Sequence, residues 1–249
     1  MDKIYVVVTM DCEPVRDAGG ATQATSGPFS YDDSARFIRG FTTQTAASQF
    51  PVSFFIHPEA AAAHPEVFLE LEQDGACLGL HIHPYKIQRT RYRSHFGALS
   101  ALEQTILLSE ASALWREALG RLPLYFRPGT FSANDATARV LSELGFRGGS
   151  LSCPGRLYPD LYAAWPGAPL DPHYANAAFR LMPGALDFVN LPLTVDTSAL
   201  VESNGRSFYR DLRPDYLEAD YDRIARNIVG QLEERDPAVL DYLRDKYHL

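Results

Sequence analysis

Two short runs hold the residue types that do acid–base and metal chemistry. One is Thr9-Met10-Asp11-Cys12-Glu13, at the end of an apolar stretch; the other is His81-Ile82-His83-Pro84, at the end of a second. In an extended chain successive side chains alternate faces, so Asp11 and Glu13 share one face and His81 and His83 share another. Two carboxylates and two imidazoles at strand ends suit a divalent cation with an acid–base partner. A third strand end brings Arg127, followed by a tight Pro128-Gly129 exit.

These residues need elements that deliver strand ends to one place. β-branched and aromatic residues over 3–9 predict a buried strand, and a polar, Gly-rich stretch from Arg16 to Ser30 predicts a loop. Asp32 or Asp33 then caps a helix running to about Ser48. Val52–Ile56 reads as the second strand, Pro65 opens a helix that ends before Gly75, and Cys77–Ile82 reads as the third strand. A basic loop holding Lys86, Arg89, Arg91 and Arg93 precedes a long helix over Leu99–Ala118, closed by Gly120. Pro123–Arg127 reads as the fourth strand. Ser132 or Asn134 caps the next helix, whose stripe is Val140, Leu141 and Leu144 and whose end is Gly145. Phe146–Ser152 gives a fifth strand, 153–177 a Pro- and Gly-rich loop, and 186–195 at least one further strand. Tyr221, Ile224, Ala225, Ile228, Val229 and Leu232 mark an amphipathic helix. Alternating strands and helices imply a parallel sheet with covering helices, and in such folds ligands sit at the carboxyl ends of the strands.

Bulk properties narrow the partners. The chain has 249 residues, of which 46% are hydrophobic and 22% charged, an ordinary globular composition that fits one domain over 1–249. A net charge of -8 argues against nucleic acid or an anionic membrane as the main partner. Three cysteines, Cys12, Cys77 and Cys153, do not form a disulfide framework and fit a reducing compartment. No apolar run approaches a membrane span, and Met1-Asp2-Lys3 leads straight into a short strand rather than a signal peptide. With Met1 as native start, the expected location is cytoplasmic. Oligomeric state is not fixed by these properties.

The chain resembles the polysaccharide deacetylase family, the NodB-homology or carbohydrate esterase family 4 group. The resemblance is carried by Val8-Thr9-Met10-Asp11-Cys12-Glu13, Gly79-Leu80-His81-Ile82-His83-Pro84 and Phe126-Arg127-Pro128-Gly129-Thr130-Phe131-Ser132, in that order. Pro51–Ile56 and Val140–Phe146 support it, and it covers about residues 3–195. It implies an α/β fold: a distorted (β/α) barrel of the NodB-homology type, with a parallel strand core, covering helices and fewer than eight regular units. It implies metal-dependent hydrolysis of an N-acetyl group on an amino sugar, with Asp11 as the base. The metal-binding acid falls on Cys12 if the two acids are adjacent, or on Glu13 if one residue separates them. Alternation favours Glu13 and turns Cys12 into the packing between barrel and helices.

The second motif departs from the family spacing, which would place the second histidine at Tyr85. The ligand set implied is therefore Glu13, His81 and His83, with His95 a substitute only if the basic loop folds back. The expected ion is Zn2+. Arg127 matches the family arginine that orients the base. Pro128, Gly129 and Thr130 would line the substrate pocket, with backbone amides as oxyanion donors, and Trp165 would offer a stacking face for a sugar or fold onto the core. The family's terminal acid histidine has no clear counterpart; His173 is the candidate, with His248 a second. The expected substrate is a small molecule or oligosaccharide, and a cytoplasmic setting favours a small glycoside or nucleotide-linked sugar over assembled cell wall. Two alternatives accompany this reading. One is hydrolysis of another amide, of cyclic imide or ureide type, on the same fold. The other is a non-catalytic carbohydrate-binding relative.

Overall fold

The computed structural model describes residues 6–16, 27–47, 50–88, 90–203 and 206–211. In the first half each strand is followed by one or two helices: β1 (Val8–Cys12), α1 (Tyr31–Ala47), β2 (Val52–Ile56), α2 (Pro58–Ala63), α3 (Pro65–Gln73), β3 (Cys77–Ile82), α4 (Pro84–Ile87), α5 (Ala101–Leu119) and β4 (Tyr125–Pro128). Then come α6 (Thr137–Glu143) and a run of two-residue strands: β5 (Gly148–Gly149), β6 (Leu157–Tyr158), β7 (Ala163–Ala164), β8 (His173–Tyr174) and β9 (Val189–Asn190). A hairpin of β10 (Val195–Ser203) and β11 (Arg206–Asp211) follows.

One seven-stranded sheet runs in the order β1-β2-β3-β4-β5-β9-β8. All its pairings are parallel except β8 with β9. The sheet is strongly curled. Strands spaced ~4.8 Å apart put β1 and β4 about 14 Å from one another on a flat sheet, where side chains stand perpendicular and cannot meet. Yet Arg127 on β4 donates to Asp11 and Thr9 on β1, at 2.7 and 3.0 Å. Such curling of a parallel core under helices is the distorted barrel that the family resemblance implies, with fewer than eight regular units.

The convex face supplies the core. Cys12, Ile56, Leu80, Ile82 and Phe126 join one buried cluster with Leu107, Leu108 and Trp115 of α5. Each fully buried aliphatic or aromatic side chain of this kind contributes about 1.5–3 kcal/mol. Rings continue the packing at edge-to-face and tilted angles, Phe96 to Phe126 to Phe146, with centroids 5.3 and 6.0 Å apart.

Local chemistry shifts several predicted boundaries. β1 runs from Val8 to Cys12 rather than over 3–9, with residues 6 and 7 outside it and 1–5 outside the described set. α1 is capped by Ser30 rather than Asp32 or Asp33: Ser30 Oγ accepts from the Asp33 amide and donates to the Asp33 carboxylate. α5 starts at Ala101 behind a Ser100–Glu103 capping box. The predicted 146–152 strand shrinks to two residues because Phe146 still belongs to the helix exit. Its amide bonds Leu141 carbonyl across Gly145, whose φ is +87°. The 153–177 loop contains β6, β7 and β8. The helix predicted around 221–232 lies outside the described residues.

Candidate active site

The parallel register sets four strand ends level. Cys12 pairs with Ile56, Ile56 with Leu80, and Leu80 with Phe126. One residue further on, Glu13, His57, His81 and Arg127 therefore come abreast on neighbouring strands, and His81 and Arg127 pair directly.

Glu13, His81 and His83 converge. One ligand atom from each lies within 4.8 Å of the others. Glu13 Oε1 lies 3.1 Å from His81 Nε2 and 2.8 Å from His83 Nε2. Both imidazoles are buried, at 1% exposure. Their far nitrogens are held: His81 Nδ1 bonds the Arg127 carbonyl at 2.9 Å, and His83 Nδ1 bonds the Tyr85 hydroxyl at 3.0 Å. The Arg127 carbonyl can only accept, so His81 Nδ1 carries a proton and Nε2 is the nitrogen turned to Glu13 and available to an ion. One carboxylate and two oriented imidazoles fit a divalent cation such as Zn2+.

The electrostatics agree. Burial pushes the Glu13 carboxyl up, but His81 and His83 outweigh it and hold it well below the usual carboxylate range. Burial lowers His81, while Asp11 and Glu13 raise it more, for a net rise. Burial dominates at His83, which is lowered. Cys12 faces the core cluster, and burial, then Asp11 and Glu13, pushes its thiol well above the ordinary value. It stays a neutral thiol, so Glu13, not Cys12, is the acidic member of the cluster.

Asp11 sits beside this cluster under the control of Arg127. The guanidinium is 4% exposed and donates through Nη1 to Asp11 Oδ1 and through Nη2 to Thr9 Oγ1. Its carbon lies 4.2 Å from the Phe55 ring centroid and 5.4 Å from that of Phe131. A planar cation fixed by two rings and two acceptors has little freedom left. Gly79 makes room for this stack, because a Cβ there would lie 2.9 Å from the Phe55 ring. Arg127 thus serves both halves of the site, gripping Asp11 with its side chain and His81 with its carbonyl.

The Pro128-Gly129-Thr130 exit lies against the cluster. A Cβ on Gly129 would come within 2.2 Å of the His83 ring. Thr130 and Phe131 both take left-handed backbone, at φ 58° and 56°. Two such non-glycine residues in succession cost about 1–2 kcal/mol each, a strain that collects at functional sites.

Other sequence candidates fall elsewhere. Trp165 does not offer a sugar-stacking face: it is 1% exposed, and its indole N–H donates to the Phe131 carbonyl at 2.8 Å. It supports the strained turn from beneath. His173 is on β8, bordering a small cleft with Asn134, Trp165 and Arg180, and its Nδ1 bonds the Asp171 carbonyl. It makes no hydrogen bond to Asp11, Glu13, His81 or His83. The basic loop does fold back, but His95 meets Tyr85 edge-on at 5.6 Å, behind His83 rather than in its place. His248 lies outside the described residues.

Two residues escaped the sequence reading. Lys86 Nζ bonds Glu13 Oε2 at 2.9 Å. His57 is 1% exposed; its Nδ1 accepts from the Glu59 amide at the start of α2, and its Nε2 has no partner among the described residues. Burial, the largest effect, takes His57 down to about 3. The signal for His57 was available: it ends a strand one residue past Ile56, as Glu13 and His81 end theirs.

The fold and the site together define an α/β protein with a carboxylate–imidazole cluster at its parallel strand ends. No protein-family model matches the chain, and no curated protein does. Among solved structures, it is similar to a Mycobacterium smegmatis protein described as a polysaccharide deacetylase, at 15% identity over 78% of this chain and 58% of that one, with a TM-score of 0.49. It is similar to PuuE allantoinase at 16% identity, 77% and 61% coverage and a TM-score of 0.45. A family 4 carbohydrate esterase from Streptomyces lividans, solved with acetate, matches at 17% identity, 59% and 61% coverage and a TM-score of 0.40. The chain spans about six-tenths of the length of each. Among the described residues no helix is long and apolar enough to cross a membrane.

Proposed function

We propose that the protein is a metal-dependent hydrolase that removes an N-acetyl group from an amino sugar or a related small glycoside. The observation that carries the hydrolytic reading is the cluster itself: Glu13, His81 and His83 converge, and Arg127 ties that cluster to Asp11. The sugar substrate rests on the resemblance of the three sequence segments.

Glu13, His81 and His83 would hold the ion. When bound, a divalent cation such as Zn2+ polarises an acyl oxygen and lowers the pKa of water. Asp11 accepts the proton of the attacking water as general base. Arg127 holds Asp11 through a charge-assisted hydrogen bond and prevents it from swinging, which preserves the reactive geometry. Backbone N–H groups of the turn at Thr130 donate to the developing oxyanion. His173, the donor expected from the sequence, borders a separate cleft with Asn134, Trp165 and Arg180 and is assigned no step.

Purified protein is expected to release acetate from an N-acetyl amino sugar and to stop when a chelator is added. Asp11→Asn is expected to lower the rate about 10²- to 10⁴-fold, the usual worth of a positioned base. A substrate panel that adds cyclic amides separates deacetylation from ring opening. Full turnover by Asp11→Asn, or turnover untouched by chelation, overturns the proposal.

A further inference from the structure

We propose that Lys86 is a positioning residue for the metal centre, one that restricts Glu13 to presenting a single oxygen to His81 and His83. The inference rests on the reading of Glu13, His81 and His83 as ligands.

The two oxygens of Glu13 are divided between different partners. Oε1 faces the two imidazoles at 3.1 and 2.8 Å, while Oε2 faces Lys86 Nζ at 2.9 Å. The side chains of Lys86 and Glu13 are only 9% and 13% exposed. A charge-assisted hydrogen bond screened from water is among the stronger side-chain bonds, unlike a pair on the surface. Turning the carboxylate so that both oxygens meet a cation breaks that bond.

The sequence explains why a lysine arrives there. α4 begins directly after His83, and the amides of Lys86 and Ile87 both bond the His83 carbonyl. Residues three apart on a helical turn share a side. His83 and Lys86 are therefore delivered together, one to each side of the Glu13 carboxylate. Tyr85, between them, reaches His83 Nδ1. All three ligand side chains thus have an outer partner: Arg127 carbonyl for His81, Tyr85 hydroxyl for His83, and Lys86 for Glu13. Such partners fix how a ligand faces its ion.

Charge follows geometry. One carboxylate and two neutral imidazoles carry a single negative charge, which a divalent ion more than cancels. The ammonium adds a second positive charge at the same carboxylate. A centre held by few donors and rich in positive charge keeps positions open for water and substrate and favours an anionic transition state.

The test uses cobalt, whose visible absorption reports coordination number, together with infrared difference spectra of the carboxylate bands. The unaltered protein loaded with Co2+ is expected to show widely split carboxylate bands, the mark of one-oxygen ligation. Lys86→Met frees Oε2 and is expected to narrow the splitting and weaken the visible bands as the coordination number rises. A residue that only filled space would lower the melting temperature of the metal-free protein and leave both spectra unmoved; that result overturns the proposal. Narrow splitting in the unaltered protein also overturns it, and that measurement stands alone if Lys86→Met does not fold. Failure of the unaltered protein to take up stoichiometric Co2+ overturns the metal reading itself, and Lys86 with it.

Discussion

Gly129 bears the tightest steric demand in the site. Its backbone passes so close to His83 that an added Cβ would sit 2.2 Å from the ring. Gly129→Ala is therefore expected to push His83 away from Glu13 and weaken Zn2+ binding at least about tenfold, as displaced ligands do. Isothermal titration calorimetry measures this, and an unchanged melting curve without metal shows that the fold has survived. Arg127→Lys tests a different contact. A lysine cannot hold Asp11 and Thr9 at once, nor stack between Phe55 and Phe131, so the rate is expected to fall by roughly 10²-fold through misplacement of the base; steady-state kinetics on an N-acetyl amino sugar reads it. These residues were legible from the sequence because type, spacing and strand-end position pointed the same way for Asp11, Glu13, His81 and Arg127. Lys86 was not, because a lysine in a basic loop looks like solvated charge until the turn of α4 carries it to Glu13. Trp165 misled for the opposite reason: the sequence shows an aromatic in a loop, not the Phe131 carbonyl that claims its N–H.

Among the elements, α5 is the longest helix described, and its start is well defined. Ser100 accepts from the Glu103 amide while Glu103 accepts from the Ser100 amide. Ser100→Ala removes half of this exchange and is expected to cost about 1 kcal/mol, read as a lower urea midpoint with an unchanged slope. The alternating pattern made β1 to β4 and most of the helices readable, because most of these strands are rich in apolar residues and the longer helices carry a stripe. It failed where tertiary contact outweighs local preference. β5 is two glycines and β9 is Val189–Asn190, and neither has enough residues to show a period of two. No element was assigned between β2 and Pro65, where His57 caps α2 and Pro58 opens it.

For the whole molecule, acid is the direction of weakness. His57 is neutral in the fold down to about pH 3, whereas an unfolded chain protonates it near 6.5. Between those values the unfolded state binds one more proton, so stability rises with pH and drops by about 1.4 kcal/mol for each unit of acidification. His83, lowered by burial, acts in the same direction below its ordinary value, as does Glu13 below the usual carboxylate range. His81 is raised, so its contribution is complete below the ordinary imidazole value and fades as pH rises above it. Metal-free protein is thus expected to lose stability from pH 6.5 to 4.5, by chemical denaturation. His57→Asn keeps a capping oxygen but cannot titrate, and should flatten that slope. The same long-range assembly that builds the site also dictates a birth order. Glu13 lies 68 and 70 positions ahead of its imidazoles, and Asp11 lies 116 ahead of its guanidinium. During synthesis at roughly 5–20 residues per second, a growing chain owns Glu13, His81 and His83 seconds before it owns Arg127. Arg127 brings both the carbonyl that orients His81 and the guanidinium that holds Asp11, so the cluster takes its final geometry only once β4 has emerged and joined the sheet.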